Sequence, residues 1–276
     1  MPKFCLTPKL HLTPKLYPIT QKLWIAAIGC VISCSALADS YEDGLLAFAK
    51  GEYRAAEQHF QSAAAAGDGG AQQMLARLYS EGKGVQPNAR QAFQWNLKAA
   101  EDGAAQAQFE VAERYFQGDG TTRDLKQAFH WYQSAARQGH HIAMEKLAFF
   151  YETGNVVQRD RARAQRLYNV AASEYDVFAQ KGDPVAQNAL ANMYETARGV
   201  EMNLMLALSW YKKAALQDYA QAQFNIGRLL LDEASSEQNI AEAVYWLDLA
   251  ASQGLREAKE LLAQIEREHG ISVAMR

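Results

Sequence analysis

The chain has 276 residues, 49% of them hydrophobic and 21% charged, which is enough apolar material for a packed core and excludes a disordered, solvating composition. Its 28 basic and 31 acidic residues leave a net charge of −3, with no basic stripe of the kind nucleic-acid binding needs. All three cysteines, Cys5, Cys30 and Cys34, fall in the first 38 residues, so the remainder can hold no disulfide and no thiol chemistry.

Those first residues differ from the rest. Residues 1–38 carry Lys3, Lys9, Lys15 and Lys22 and no acid, then an apolar run from Leu23 to Ile32, then Ala36-Leu37-Ala38. A basic start, a short apolar stretch and small residues at the last and third-last positions describe a secretory signal peptide cleaved after Ala38. The run is shorter than the roughly 20 residues a membrane span needs. Val31-Ile32-Ser33 before Cys34 offers an alternative end, a lipidated Cys34 that would anchor the chain to a membrane. The expected location is therefore the periplasm or the exterior, with a membrane-anchored lipoprotein as the alternative.

Residues 39–66 are expected to form an N-terminal capping helix pair, residues 67–270 a repeat array, and residues 271–276 a tail. The array is timed by tryptophans: Trp95 and Trp131 are 36 apart, and so are Trp210 and Trp246. Each is followed by an Ala-Ala pair, at 99–100, 135–136, 214–215 and 250–251, and Leu167 takes the Trp place in the unit ending at Ala171-Ala172. A second pattern, Ala-x-x-x-Leu-x-x-x-Tyr, recurs at Ala71/Leu75/Tyr79, Ala107/Val111/Tyr115, Ala143/Leu147/Tyr151 and Ala186/Leu190/Tyr194. It fades at Ala222/Ile226/Leu230. Spacings of four keep these residues on one face of a helix. Gly82, Gly118 and Gly199 punctuate the link between the two helices. Asn88, Asp124, Asp160, Asn203 and Asn239 stand where the second helix should start, as N-caps, and Asp183-Pro184 reads as a cap with proline at the first helical position.

A helix pair of about 36 residues written Ala-x-x-x-Leu-x-x-x-Tyr-x-x-Gly-x-Gly and then Ala-x-x-Trp-Tyr-x-x-Ala-Ala-x-x-Gly resembles the Sel1-like repeat family, relatives of the tetratricopeptide repeat. The resemblance implies an all-α, right-handed α/α solenoid of five to six helix pairs with a period of 36. It also implies scaffold or adaptor work on partner proteins, without catalysis and without a cofactor. The expected partner is a protein or peptide of the cell envelope, with no nucleic acid, and with a membrane only if Cys34 is lipidated. The alternative is an envelope enzyme or binder acting on peptidoglycan or β-lactams.

The positions that vary between units matter most for a partner. By analogy with tetratricopeptide arrays the first helices line the concave face, and positions two and six after each leading Ala, and the one after each Tyr, point into it. Phe109, Glu113, Phe116 and Phe149 are the candidates there, aromatics among acids. One step of the array is 43 rather than 36, from Gly139 to Gly182. Seven extra residues are about two helical turns, so the helix after Asp160 should run on as a ledge bearing Tyr175 and Phe178. No catalytic or metal residues are assigned. Ser209-Trp-Tyr-Lys212 has the Ser-x-x-Lys spacing of β-lactam-binding serine enzymes but lacks their companion motifs. His141 and Glu145 share a helix face, with no third ligand evident.

Overall fold

The computed structural model describes residues 40–232 and 237–269, and every regular element among them is a helix. The expectations for the leader, including cleavage after Ala38 and lipidation of Cys34, lie outside the described residues, as does the tail. None of the described helices is long and apolar enough to cross a membrane.

The helices group into two compact units divided after Asp102. In the first, α1 (residues 40–49) pairs with α2 (Tyr53–Ala65), and α3 (Gly69–Glu81) with α4 (Ala89–Glu101). The second holds α5 (Ala105–Gln117), α6 (Leu125–Arg137), α7 (His141–Thr153), α8 (Arg161–Gln180), α9 (Pro184–Thr196), α10 (Leu204–Ala215), α11 (Ala220–Asp232), α12 (Glu237–Ser252) and α13 (Arg256–His269).

Helix starts fall where the short polar side chains are. Asn88, Asp124, Asp160 and Asn203 each accept a backbone N–H from the first turn of the following helix, at 2.8–3.1 Å. The amide of the same residue donates back to the carbonyl of Tyr79, Tyr115, Tyr151 or Tyr194, at 2.8–2.9 Å. One residue thus caps the second helix and closes the hairpin onto the first. Asp183 caps α9 with Pro184 in its first turn. Asn239 departs from this, since α12 begins two residues before it. Gly82, Gly118 and Gly154 end first helices in the left-handed conformation, and in the next pair Ala197 does so, at φ 57°. Gly199 is therefore not the cap of α9. It takes the place that Gly84 and Gly120, the second glycines of their links, hold in the earlier pairs.

The repeated alanines are the contact points of neighbouring helices. Ala71, Ala107, Ala143, Ala186 and Ala222 are buried, and so is every Ala-Ala pair. The tryptophans, the bulkiest residues of the repeat, are not uniformly buried: Trp210 and Trp246 are 9% exposed, but Trp95 and Trp131 are only partly buried. The deepest position is the next residue, filled by Phe60, Asn96, Tyr132, Tyr168, Tyr211 and Leu247, all at most 2% exposed. One residue turns a helix by about 100°, so the two neighbours cannot both point at the centre of the pair. The smaller side chain takes the centre, and the indole lies to its side.

An amide ladder with buried acceptors and exposed donors, not anticipated from sequence, runs beside this core. Gln138, Gln217 and Gln253, in the turns after α6, α10 and α12, donate through Nε2 to Oε1 of Gln108, Gln187 and Gln223, each at 2.9 Å. Gln187 and Gln223 in turn donate to the carbonyls of Ala179 and Ala215. In the first unit Asp102 stands in the place of Gln138. A carboxylate only accepts, so Gln72 turns its NH2 towards it at 3.3 Å, and its buried Oε1 accepts nothing among the described residues. In α7 the ladder position is Met144.

The 43-residue step is resolved as expected. α8 has 20 residues where α4 and α6 have 13.

Candidate partner-binding surface

The first helices of the second unit present a face built on carboxylate–phenol pairs. Tyr168 and Tyr211 donate to Glu152 and Glu195, each at 2.9 Å and each 16 residues back in the chain. The place of these acids in α5 is taken by Phe116. Glu113, one turn earlier, accepts the Tyr132 phenol instead, at 2.6 Å. Where the buried residue carries no hydroxyl, as at Leu247, the corresponding first-helix residue is Leu231. The acid is thus present where there is a buried phenol to satisfy. Burial foremost, then the neighbouring carboxylate, push the phenols of Tyr132, Tyr168 and Tyr211 well above the usual tyrosine range. They remain neutral donors. Arg198 and Arg228, from the following links and helices, pair with Glu152 and Glu195.

Among these acids stand the aromatic candidates, and they differ in setting. Phe109 is partly buried, stacked on His140 at 4.6 Å and tilted against Tyr132 at 6.0 Å. Phe116 meets Phe150 edge-on and lies under the Arg123 guanidinium. Phe149 is 37% exposed and touches Phe150 edge-on at 6.4 Å. Phe178 is equally exposed and stacks on His141 at 5.3 Å. Tyr175 is buried, edge-on to His141, with its hydroxyl donating to Glu145 at 2.7 Å. The structure therefore joins Phe109 to Phe178 through His140 and His141, and Phe116 to Phe149 through Phe150. Neither histidine was placed in this surface from the sequence. Their adjacency at the start of α7, opposite the lengthened end of α8, was the available signal.

His140 also has a structural task. Its Nδ1 accepts the Ala143 amide as the N-cap of α7, which leaves Nε2 to donate to Gln106 Oε1 at 3.0 Å. Burial, and then the charge of His141, hold His140 below the ordinary histidine range against the opposing pull of Glu110. Burial does the same at His141, against Glu174, Glu145 and Asp183. A folded-state pKa below the unfolded value near 6.5 means that the stability held by the neutral ring is complete above that value. It is lost as pH falls through the lowered folded value. Unfolding free energy should therefore decline as pH drops from 7 into the acid range. His140→Asn, which keeps an uncharged cap acceptor, should flatten that slope in urea titrations at a series of pH values.

Ser209 is exposed, and Lys212, three residues on, pairs with Glu242 at 3.1 Å. Among the described residues no group of three or more His, Cys, Asp or Glu side chains is placed to hold a metal.

The Sel1 repeat family model matches six stretches of the chain, residues 31–68, 70–103, 105–140, 141–176, 184–219 and 220–255. The chain belongs to the Sel1 repeat family. Its six Sel1 repeats fall on the helix pairs α1–α2 through α11–α12, the first match beginning ahead of the described residues, and α13 follows the last of them. No curated protein matches the chain. Among solved structures it is similar to a Sel1 repeat protein from Oxalobacter formigenes, at 27% identity and a TM-score of 0.60, over 83% of this chain and 90% of that one. It is also similar to a protective antigen present in uropathogenic Escherichia coli strains, at 29% identity and a TM-score of 0.55. That match covers 88% of this chain but only 52% of the antigen. Sel1 repeats are protein-interaction modules.

Proposed function

We propose that this Sel1 repeat protein is an exported, non-catalytic scaffold that holds a protein or peptide partner of the cell envelope across the first helices of its second unit. The observation that carries this reading is Phe149. Its ring is exposed at a position where the other repeats carry Arg77, Glu113, Asn192 and Arg228, so the fold does not require an aromatic there. Phe178 offers a second exposed ring on the added turns of α8. Phe109 reaches Phe178 through the two histidines and Phe116 reaches Phe149 through Phe150, with Glu113, Glu145 and Glu152 on the same helices adding negative charge. Exposed aromatics of this kind commonly supply most of an interface's energy, with losses of about 2 kcal/mol or more on truncation.

The test is a photo-crosslinking amino acid placed at position 149, with position 170 on α8 as an exposed control. The N-terminus of the purified protein is read in the same experiment. A discrete adduct from 149 and not from 170, competed by the unlabelled protein and lost in Phe178→Ala, is the expected result. An N-terminus at Asp39, or an acylated Cys34, accords with export. Equal labelling from both positions, or recovery of residues 1–38 intact in the cytoplasm, would count against the respective half of the proposal.

A further inference from the structure

A second feature of this unit opens at the start of α8, on residues other than the exposed rings Phe149 and Phe178. A cleft of about 690 Å³ opens where the start of α8 faces α6, lined by Phe129 and Gln133 of α6, Tyr151 of α7, and Arg159, Arg161 and Arg163. Its volume falls within the roughly 300–1,000 Å³ of pockets that take ligands. Three arginines meet there in a chain whose net charge is negative. The one acid among them, Asp160, is occupied as the cap of α8, accepting the Arg163 amide at 2.8 Å.

The repeat shows why the cleft is open at this point. In α10 the places of Arg161 and Arg163 belong to Leu204 and Leu206, and in α6 the place of Arg161 belongs to Leu125. Those leucines pack against the core. The arginines leave that space unfilled and put guanidinium groups at its edge. Phe129 and Tyr151 meet edge-on at 5.6 Å to make an aromatic floor, and the Arg163 guanidinium lies over the Tyr151 ring, 4.4 Å from its centre. Arg159 is tied down through Nε to the Glu152 carbonyl at 2.8 Å. No carboxylate partner is described for Arg161 or Arg163. A stacked guanidinium is already oriented, so less freedom is lost when its N–H fork meets a carboxylate.

We propose that this cleft binds an acidic peptide segment, with side-chain carboxylates held by Arg161 and Arg163 and an apolar or aromatic side chain laid on the Phe129–Tyr151 floor. Charge complementarity selects the acids. The aromatic floor selects a peptide over a small inorganic anion, which would leave the rings bare.

The test is fluorescence anisotropy with a labelled Glu-Glu-Tyr-Glu-Glu peptide on the whole protein. Binding that weakens as salt rises, and weakens about tenfold or more in the double variant Arg161→Glu and Arg163→Glu, is the expected result. The charge-matched double variant Arg256→Glu and Lys259→Glu on α13 should bind as the parent does. Circular dichroism checks that each variant is folded, and Arg161→Gln with Arg163→Gln replaces the charge reversal if it is not. No binding, equal affinity in the arginine variant, or equal affinity for a Lys-Lys-Tyr-Lys-Lys peptide overturns the proposal. Displacement by inorganic phosphate at the same anion concentration also overturns it, by showing a site that reads charge alone.

Discussion

Replacing Tyr132 by Ala should unfold the protein more readily than replacing its neighbour Trp131 by Ala. The ring of Tyr132 is fully buried, meets Phe109 and Phe150 at 6.0 Å each, and donates its hydroxyl to Glu113. Truncating a fully buried aromatic costs about 3–5 kcal/mol, from lost transfer energy and the cavity left behind. Trp131→Ala removes a larger side chain, but one that is only partly buried, and should cost less. Tyr132→Phe keeps the packing and removes one hydrogen bond to a partly exposed acid, for a loss of about 1 kcal/mol. Urea denaturation of the three variants gives the order directly. A Trp131→Ala protein weaker than Tyr132→Ala would return the tryptophan to the centre of the repeat.

The second large effect is expected at Gly199. Its φ is 74°, but φ is not what demands glycine, because Ala197 in the same link sits at 57°. The demand is steric. A Cβ at Gly199 would lie 2.3 Å from the backbone carbon and oxygen of Tyr168, closer than any van der Waals contact permits. The link after α9 is pressed directly onto the α8 backbone, and the Tyr53 backbone does the same beneath Gly84. Gly199→Ala should therefore add about 1–3 kcal/mol of overpacking to the roughly 1–2 kcal/mol of a left-handed alanine. Gly182→Ala is the control, since its φ is 96° and nothing lies within 4 Å of its added Cβ. It should show the conformational cost alone. Equal denaturation midpoints for the two variants would refute the close approach at Tyr168.

What the sequence made legible is what local rules decide. Alanines at spacings of four declare a packing face, and Asn88, Asp124, Asp160 and Asn203 declare helix starts, because both depend on residues within one turn. The added turns of α8 were legible for the same reason. Size misled at the tryptophans: the bulkiest residue looks like the core, whereas the centre of each pair falls one residue later. Exposure at the partner surface was harder, because it is set by contacts made far along the chain. Phe109 and Phe149 lie on corresponding faces, yet His140 covers Phe109, 31 residues away, and leaves no counterpart over Phe149. The arginines at 159, 161 and 163 are exposed at a helix start, and no sequence pattern sets them apart. Only Phe129 and Tyr151, brought beneath them by the stacking of α6 and α7, turn them into the edge of a cleft.

The length of α8 also bears on how the gene encoding this protein can change. Seven residues advance a helix by two turns with a shortfall of about 20°, so everything downstream of Gln180 re-enters the stack facing the way it would have faced without them. An in-frame insertion or deletion of one, two, five or six residues in that helix would turn Tyr175, Ala179 and the whole of α9 by about 100° or more from their seats. Among small changes, a gain or loss of seven codons there disturbs the register least. The segment around residues 173–180 is a natural splice point, where a ledge of a different character can be exchanged without rewriting a neighbouring repeat.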